Sequence, residues 1–129
     1  MLKKPLEIAK EFLDLWTADR MDDALTMVTD DVYYHNLPFP VIIGRDGVRQ
    51  FHIDFGFGKD WRAEFEIINI AAAGNVVLSE RLDVFYHSSG AKISLPVMGS
   101  ITIEDGMITT WRDYFNSTDF ENQLSKIKS

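Results

Sequence analysis

From Trp61 to Phe115 the sequence alternates between apolar and polar residues with a period of two, and three short turn sequences interrupt the alternation. Such alternation is typical of half-buried β-strands, because successive side chains of a strand point to opposite faces. The interruptions read AGN, SSG and EDG, which suit tight hairpin connections. The pattern therefore predicts an antiparallel meander of four strands, at residues 62–72, 76–87, 92–103 and 107–115.

The residues before this meander follow a helical period instead. Ala9, Phe12, Leu13 and Trp16 are spaced to share one face of a helix, and Pro5 suits its first turn. We therefore predict an amphipathic helix over about the first 18 residues.

Three further elements complete the part before the meander: a helix, a strand and a helix, at 21–28, at 32–36 and within 44–55. After the last strand, Thr118 followed by Glu121 forms a potential capping box, which predicts the start of a terminal helix. Helices before and after a curved antiparallel or mixed sheet indicate an α+β fold with the helices over one sheet face. We expect a single domain, residues 1–129, shaped like a cone around a pocket.

The charge balance limits the classes of partner. The chain has a net charge of −7 and a pI near 4.8, which argues against nucleic acid and anionic membranes. It has no cysteine and its three histidines are far apart in sequence, so we predict no metal site. No apolar run approaches the length of a membrane span. Charged residues interrupt the N-terminal stretch, so it lacks the continuous apolar core of a signal peptide. We therefore expect a cytoplasmic protein.

The segment SERLDVF at 79–85 places two opposite charges on a strand that is otherwise half-buried. Arg81 and Asp83 are two residues apart, so they share one face of the sheet. If SSG and EDG are both three-residue loops, Arg81 pairs with Val97 and Val97 pairs with Asp113, which adds a second carboxylate to this face. Two-residue turns at both loops would also keep the three charges together, whereas a change at only one loop would separate them.

The sheet face that carries these three charges is otherwise apolar. Burying a carboxylate alone is unfavourable, so an arginine between two carboxylates is the least costly arrangement in a dry pocket. Two acids with one arginine leave a surplus negative charge, which favours the uptake of one proton and separates the two pKa values. One aspartate can then act as an acid while the other acts as a base. We predict that the substrate-binding wall of the pocket consists of Trp16, Phe65, Phe85, Leu95, Val97, Trp111, Phe115 and Phe120.

Three motifs in order along the chain carry a family resemblance. YHN at 34–36 is followed by Pro38, ERLDVF lies at 80–85, and GMITTWRDYF lies at 106–115. Together they resemble the limonene-1,2-epoxide hydrolase family, whose cone-shaped fold is shared with nuclear transport factor 2, the SnoaL-like proteins and ketosteroid isomerase. The resemblance implies the hydrolysis of a small apolar epoxide to a vicinal diol in one step, without a covalent intermediate and without a cofactor.

The resemblance also implies a role for each matching residue. Asp113 would be the base that deprotonates a water molecule, and Tyr34 and Asn36 would hold that water as well. Asp83 would be the protonated acid that donates to the epoxide oxygen, and Arg81 would bridge both carboxylates. This division suits the reaction, because a strained ether opens best when water attacks as the oxygen is protonated.

Two other functions are compatible with the same residues. The first is proton transfer of the ketosteroid isomerase kind, in which Tyr34 and a protonated aspartate polarise a carbonyl group. Arg81 argues against it, because that chemistry needs no cation to orient water. The second is the binding of an apolar ligand without catalysis.

The opposite face of the sheet is apolar as well. The helices are too few to cover both faces, so we predict a homodimer packed through this outer face. The residues that indicate it are Val76, Leu78, Leu82, Val84 and Tyr86.

Overall fold

The computed structural model describes residues 3–128, which form four helices and six strands. The helices are α1 (Pro5–Thr17), α2 (Met21–Leu25), α3 (Arg45–Phe55) and α4 (Ser117–Lys128). The strands are β1 (Val28–Leu37), β2 (Ile42–Ile43), β3 (Trp61–Ala73), β4 (Val76–His87), β5 (Lys92–Glu104) and β6 (Met107–Tyr114). Residues 1 and 2 of the predicted first helix lie outside the described residues.

All six strands belong to one curved sheet with the order β2-β1-β6-β5-β4-β3. The predicted meander is confirmed as the antiparallel run from β3 to β6. Strand β1 adds to it in parallel with β6, which makes the sheet mixed and sets Asn36 opposite Asp113. The α+β fold predicted from the sequence is therefore confirmed, and the parallel pair decides which residues of β1 reach the charged face.

Two predicted helix boundaries are wrong. The second helix ends at Leu25 rather than at residue 28, because Val28 already begins β1. The last helix is capped by Asn116, whose Oδ1 accepts a hydrogen bond from the backbone N–H of Asp119 at 3.0 Å. Asn116 is therefore the capping residue in place of Thr118, since an asparagine side chain before the first turn satisfies an amide that the helix leaves unpaired.

The first of the two decisive hairpin loops has the predicted form. Strands β4 and β5 flank the loop SSG, and Arg81 lies opposite Val97 while Asp83 lies opposite Leu95. Gly90 in this loop has φ of 95°, the left-handed conformation that such loops require. The predicted register between β4 and β5 is confirmed.

The second decisive loop differs from the prediction. Glu104 pairs with Met107, so the turn has only two residues, Asp105 and Gly106, both with positive φ as in a type I′ turn. This change alone would have turned Asp113 to the other face. A bulge at Thr109 inserts one extra residue into β6 and restores the orientation, so that Asp113 lies opposite Gly99 instead of Val97.

The helices cover the face of the sheet that carries the charges. Phe12 and Trp16 of α1 are almost fully buried, and their rings lie 4.9 and 5.6 Å from the ring of Trp111 in β6. Phe120 of α4 lies against Phe115, with 6.1 Å between ring centroids. No helix within residues 3–128 is long and apolar enough to cross a membrane.

Candidate active site

A cavity of about 290 Å³ lies between the helices and the charged face of the sheet. Its polar lining consists of Tyr34, Asn36, His52, Asp83 and Asp113, and the rest is apolar and mostly aromatic. All of the predicted wall residues line it except Trp16. The cavity thus joins the charged group to a wall suited to an apolar ligand.

Trp16 requires a correction, because it belongs to the core behind the cavity. Its side chain is only 2% exposed, and Phe65 and Trp111, whose rings lie 6.4 and 5.6 Å from it, line the cavity. Helical spacing shows that a residue is buried but does not show whether it reaches a cavity or stops one layer short.

Several residues of the wall were not predicted from the sequence. Helix α3 contributes Phe51, His52 and Phe55, and the regular spacing of the two phenylalanines was the available signal. Leu124 lies one turn after Phe120 on the same face of α4, so the helical spacing was the available signal there. Phe39 and Phe57 lie in loops, where no pattern indicates a cavity.

Arg81 joins the two aspartates at the wall of the cavity. Its Nε and Nη2 donate to Oδ1 and Oδ2 of Asp83 at 2.9 and 2.8 Å, which is a bidentate pair. Its Nη1 and Nη2 lie 3.2 and 3.1 Å from Oδ1 and Oδ2 of Asp113. The three residues are between 1% and 5% exposed. The structure therefore brings together the charged group that the sequence predicts.

The surroundings shift the pKa values of Asp83 and Arg81 away from those of free side chains. Burial raises the pKa of Asp83 to about 6; Arg81 acts against this shift and the charge of Asp113 adds to it. Burial opposes the charge of Arg81, but Asp113 and Asp83 outweigh it and raise the pKa of the guanidinium. Arg81 is thus permanently charged, while Asp83 readily takes up a proton.

Two small residues make room for the guanidinium. Ser79 is buried, and its Oγ accepts a hydrogen bond from Arg81 Nη1 at 3.1 Å. Gly99 faces both Ser79 and Asp113, and a Cβ there would overlap Arg81 Nη1 and come within 2.7 Å of Asp113 Oδ1. A side chain at residue 99 would therefore occupy the space in which Arg81 reaches Asp113.

We expect Gly99→Ala to displace Arg81 from Asp113, since the new methyl group overlaps both polar atoms. Overpacking of this kind costs about 1–3 kcal/mol of unfolding free energy. Urea denaturation measures this loss. Ser100→Ala, on the other face of the same strand, is the matched control, and equal behaviour of the two variants would contradict the prediction.

Tyr34 and Asn36 lie side by side on β1, as their spacing predicts. Asn36 Nδ2 donates to the hydroxyl of Tyr34 at 2.8 Å, so the hydroxyl proton is available for another acceptor. Burial and then the charge of Asp113 raise the pKa of Tyr34, which keeps this hydroxyl protonated. The parallel pairing sets Asn36 opposite Asp113, so both polar groups of β1 border the carboxylates. Within residues 3–128 no three His, Cys, Asp or Glu side chains form a group that could hold a metal ion.

The family model for the limonene-1,2-epoxide hydrolase catalytic domain matches residues 3–126. The chain belongs to the limonene-1,2-epoxide hydrolase family. The recognition made from three short motifs is confirmed, and with it the assignment to enzymes of the epoxide hydrolase type.

Known epoxide hydrolases resemble the chain over most of its length. It is 31% identical over 112 residues to the epoxide hydrolase EphG of Mycobacterium tuberculosis, a match that covers 84% of this chain and 70% of the relative. A solved LEH-like epoxide hydrolase from M. tuberculosis has a TM-score of 0.81 and 27% identity, covering 95% of this chain and 90% of the other.

The fold itself extends beyond this family. A solved NTF2-like protein of unknown function from Cytophaga hutchinsonii has a TM-score of 0.72 at 14% identity, covering 94% of this chain and 97% of the other. At that identity the likeness shows the fold alone, and the assignment to the NTF2-like fold is confirmed.

Proposed function

We propose that this member of the limonene-1,2-epoxide hydrolase family adds water to a small, largely apolar epoxide and forms a vicinal diol in one step. The observation that carries the proposal is a single arginine bound to two buried carboxylates at the wall of an apolar cavity. Such a group offers one ionised and one protonated carboxyl side by side, which water addition to an epoxide needs.

Asp113 is the proposed base. A water molecule beside it would also reach Asn36 and the hydroxyl of Tyr34, which border the same part of the cavity. Water loses a proton to Asp113 as its oxygen forms a bond to one epoxide carbon. Holding water by three groups fixes its lone pair toward the carbon, which reduces the entropy lost on reaching the transition state.

Asp83 is the proposed acid. Because burial raises its pKa to about 6, roughly a tenth of Asp83 is protonated at pH 7 and about half at pH 6. Its proton moves to the epoxide oxygen as the carbon–oxygen bond breaks. Asp113 ends neutral and Asp83 ends ionised, so one proton must return to Asp83 before the next turnover. Arg81 holds both carboxylates in place throughout. The proposed reaction uses these side chains and water, without a cofactor.

Turnover in heavy-oxygen water tests the mechanism. With enzyme in excess over substrate, we expect the heavy oxygen on the diol from the first turnover, because water attacks the epoxide directly. If the first diol instead carries ordinary oxygen from the protein, an ester intermediate forms and the one-step mechanism is wrong.

The reaction rate should fall as the pH rises past the pKa of Asp83. Only the protonated carboxyl can donate to the epoxide oxygen, and burial raises this pKa to about 6. We expect the basic limb of the pH profile of kcat/KM near that value, as a property of the coupled pair of aspartates. A rate that stays constant well above it would show that Asp83 is not the acid.

Proton transfer of the ketosteroid isomerase kind is a second candidate, because the Tyr34 hydroxyl stays protonated beside a carboxyl with a raised pKa. A β,γ-unsaturated cyclic ketone tests it by its conversion to the conjugated isomer. Binding of apolar ligands without turnover of any epoxide or ketone would instead support a non-catalytic role.

We also propose that the protein is a homodimer. On the outer face of the sheet Leu78, Met98 and Tyr114 are about half exposed, at 48%, 51% and 48%, whereas Val84 is already buried within the chain. We expect light scattering to give the mass of a dimer at micromolar concentration, and Leu78→Glu to give a monomer because it charges this face. A monomeric wild-type protein would contradict the proposal.

A cytoplasmic location and the absence of nucleic-acid or membrane partners stay predictions. They depend on the acidic charge balance of the chain.

A further inference from the structure

His52 is a polar residue of the cavity that the proposed mechanism does not use. It lies on α3, is only 6% exposed and lines the cavity. Its ring lies 4.6 Å from the ring of Trp16 and 5.7 Å from that of Tyr34. The imidazole is therefore enclosed by aromatic rings at the edge of the space that the substrate occupies.

One nitrogen of this imidazole is fixed by the helix. Nδ1 lies 2.7 Å from the backbone carbonyl oxygen of Val48, which can only accept a hydrogen bond, so Nδ1 carries a proton. Burial lowers the pKa of His52 to about 4, although the Val48 carbonyl acts in the other direction. The ring is neutral at physiological pH, and Nε2 is consequently a hydrogen-bond acceptor.

The other nitrogen has no donor within residues 3–128. In the described part of the chain, three buried side-chain polar atoms have neither a hydrogen-bond partner nor accessible surface: Trp16 Nε1, Thr29 Oγ1 and Trp111 Nε1. Nε2 of His52 is not one of them, although it also has no partner. Nε2 therefore keeps accessible surface, and the cavity is the space that His52 lines. A purely apolar substrate would displace water from this nitrogen and leave a buried acceptor unpaired, which is unfavourable.

We propose that the substrate carries a hydroxyl group in addition to its epoxide, and that this hydroxyl donates a hydrogen bond to Nε2 of His52. The inference rests on the proposed epoxide hydrolysis and adds a substrate class to it, the epoxy alcohols. The carboxylates bind the oxirane and His52 binds the hydroxyl, so the two contacts together fix the substrate's orientation.

Pairs of substrates test this assignment. Cyclohexene oxides with a hydroxyl at each ring position are compared with the corresponding methyl ethers, which keep the oxygen but cannot donate. For at least one position we expect kcat/KM to favour the alcohol by about tenfold in the wild-type protein. In His52→Phe, which keeps an aromatic ring without the acceptor, this ratio should fall to near one.

Two control variants accompany the comparison. His52→Gln places an amide oxygen near the position of Nε2 and should restore part of the preference for the alcohol. His87→Phe makes the same change outside the cavity, at the end of β4, and should keep the full preference. A wild-type ratio near one at every position, or equal ratios in wild type and His52→Phe, would overturn the inference.

Binding measurements separate this inference from the proposed function. Calorimetry with cyclohexanols and their methyl ethers requires no turnover, and wild type should bind the alcohols more tightly while His52→Phe should not. If the alcohol preference appears in binding but no epoxide is hydrolysed, the proposed function fails and the hydroxyl contact stands. If epoxides are hydrolysed without any alcohol preference, the contact fails alone. If His52→Phe does not fold, the nitrogen NMR spectrum of wild-type His52 decides, since a protonated Nε2 would exclude the acceptor.

Discussion

Asp113→Asn should lower kcat/KM for epoxide hydrolysis by about a thousandfold, the range expected when a general base is lost. The amide has nearly the same shape as the carboxylate and can still accept from Arg81, so the fold and the Arg81–Asp83 pair should persist. The neutral amide cannot take a proton from water. Losing the charge of Asp113 also removes one cause of the raised pKa of Asp83, so that less of Asp83 is protonated and able to donate at a given pH.

Steady-state kinetics and urea denaturation on the same samples measure the effect of Asp113→Asn. Asp105→Asn is the matched control, because it makes the same change in the exposed two-residue turn before β6, where φ of 51° suits asparagine as well as aspartate. We expect wild-type activity from this control. Activity of Asp113→Asn within about tenfold of wild type would be too high for loss of a general base, and Asp113 would then lack that role.

The sequence predicts the charged face because the strand period determines which side chains share a face. Arg81 and Asp83 follow from the period alone, and the β4–β5 register follows from a loop that the glycine at residue 90 makes recognisable. Asp113 was placed on the correct face through a wrong register. The two-residue turn before β6 and the bulge at Thr109 each shift the register by one residue, so together they leave Asp113 on the predicted face. A bulge has no dependable signal in a single sequence.

The remaining parts of the site depend on contacts between distant segments. Tyr34 and Asn36 reach Asp113 because β1 pairs in parallel with β6, and no local pattern predicts that pairing. His52 and Trp16 both lie on buried helix faces, yet one borders the cavity and the other does not. That difference depends on how the aromatic side chains fill the space, which residue type and periodicity do not determine.

Arg81→Met should destabilise the protein by about 3–5 kcal/mol, which is typical when one partner of a buried ion pair is removed. Methionine fills most of the space of the arginine stem, so the loss arises mainly from Asp83 and Asp113, which are left buried without a cation. Arg20→Met is the matched control. Arg20 pairs with Asp23 at the surface, where 60% and 54% of the two side chains are exposed, and such pairs contribute about 0–1 kcal/mol.

The pH dependence of the unfolding free energy identifies the cause of this loss. Consider a buried carboxyl whose pKa is higher in the folded than in the unfolded state. Its contribution to stability is fully present at pH values below the unfolded-state pKa, and it is lost as the pH rises through the folded-state pKa. Arg81 lowers the pKa of Asp83, so its removal should move the folded value above the wild-type value of about 6. The variant should therefore be closest to wild type in acid and weakest at alkaline pH. Adding Asp83→Asn and Asp113→Asn to Arg81→Met should restore most of the stability at alkaline pH and remove this slope. If the triple variant is no more stable than Arg81→Met alone, packing around the guanidinium and not its charge is what stabilises this face of the sheet.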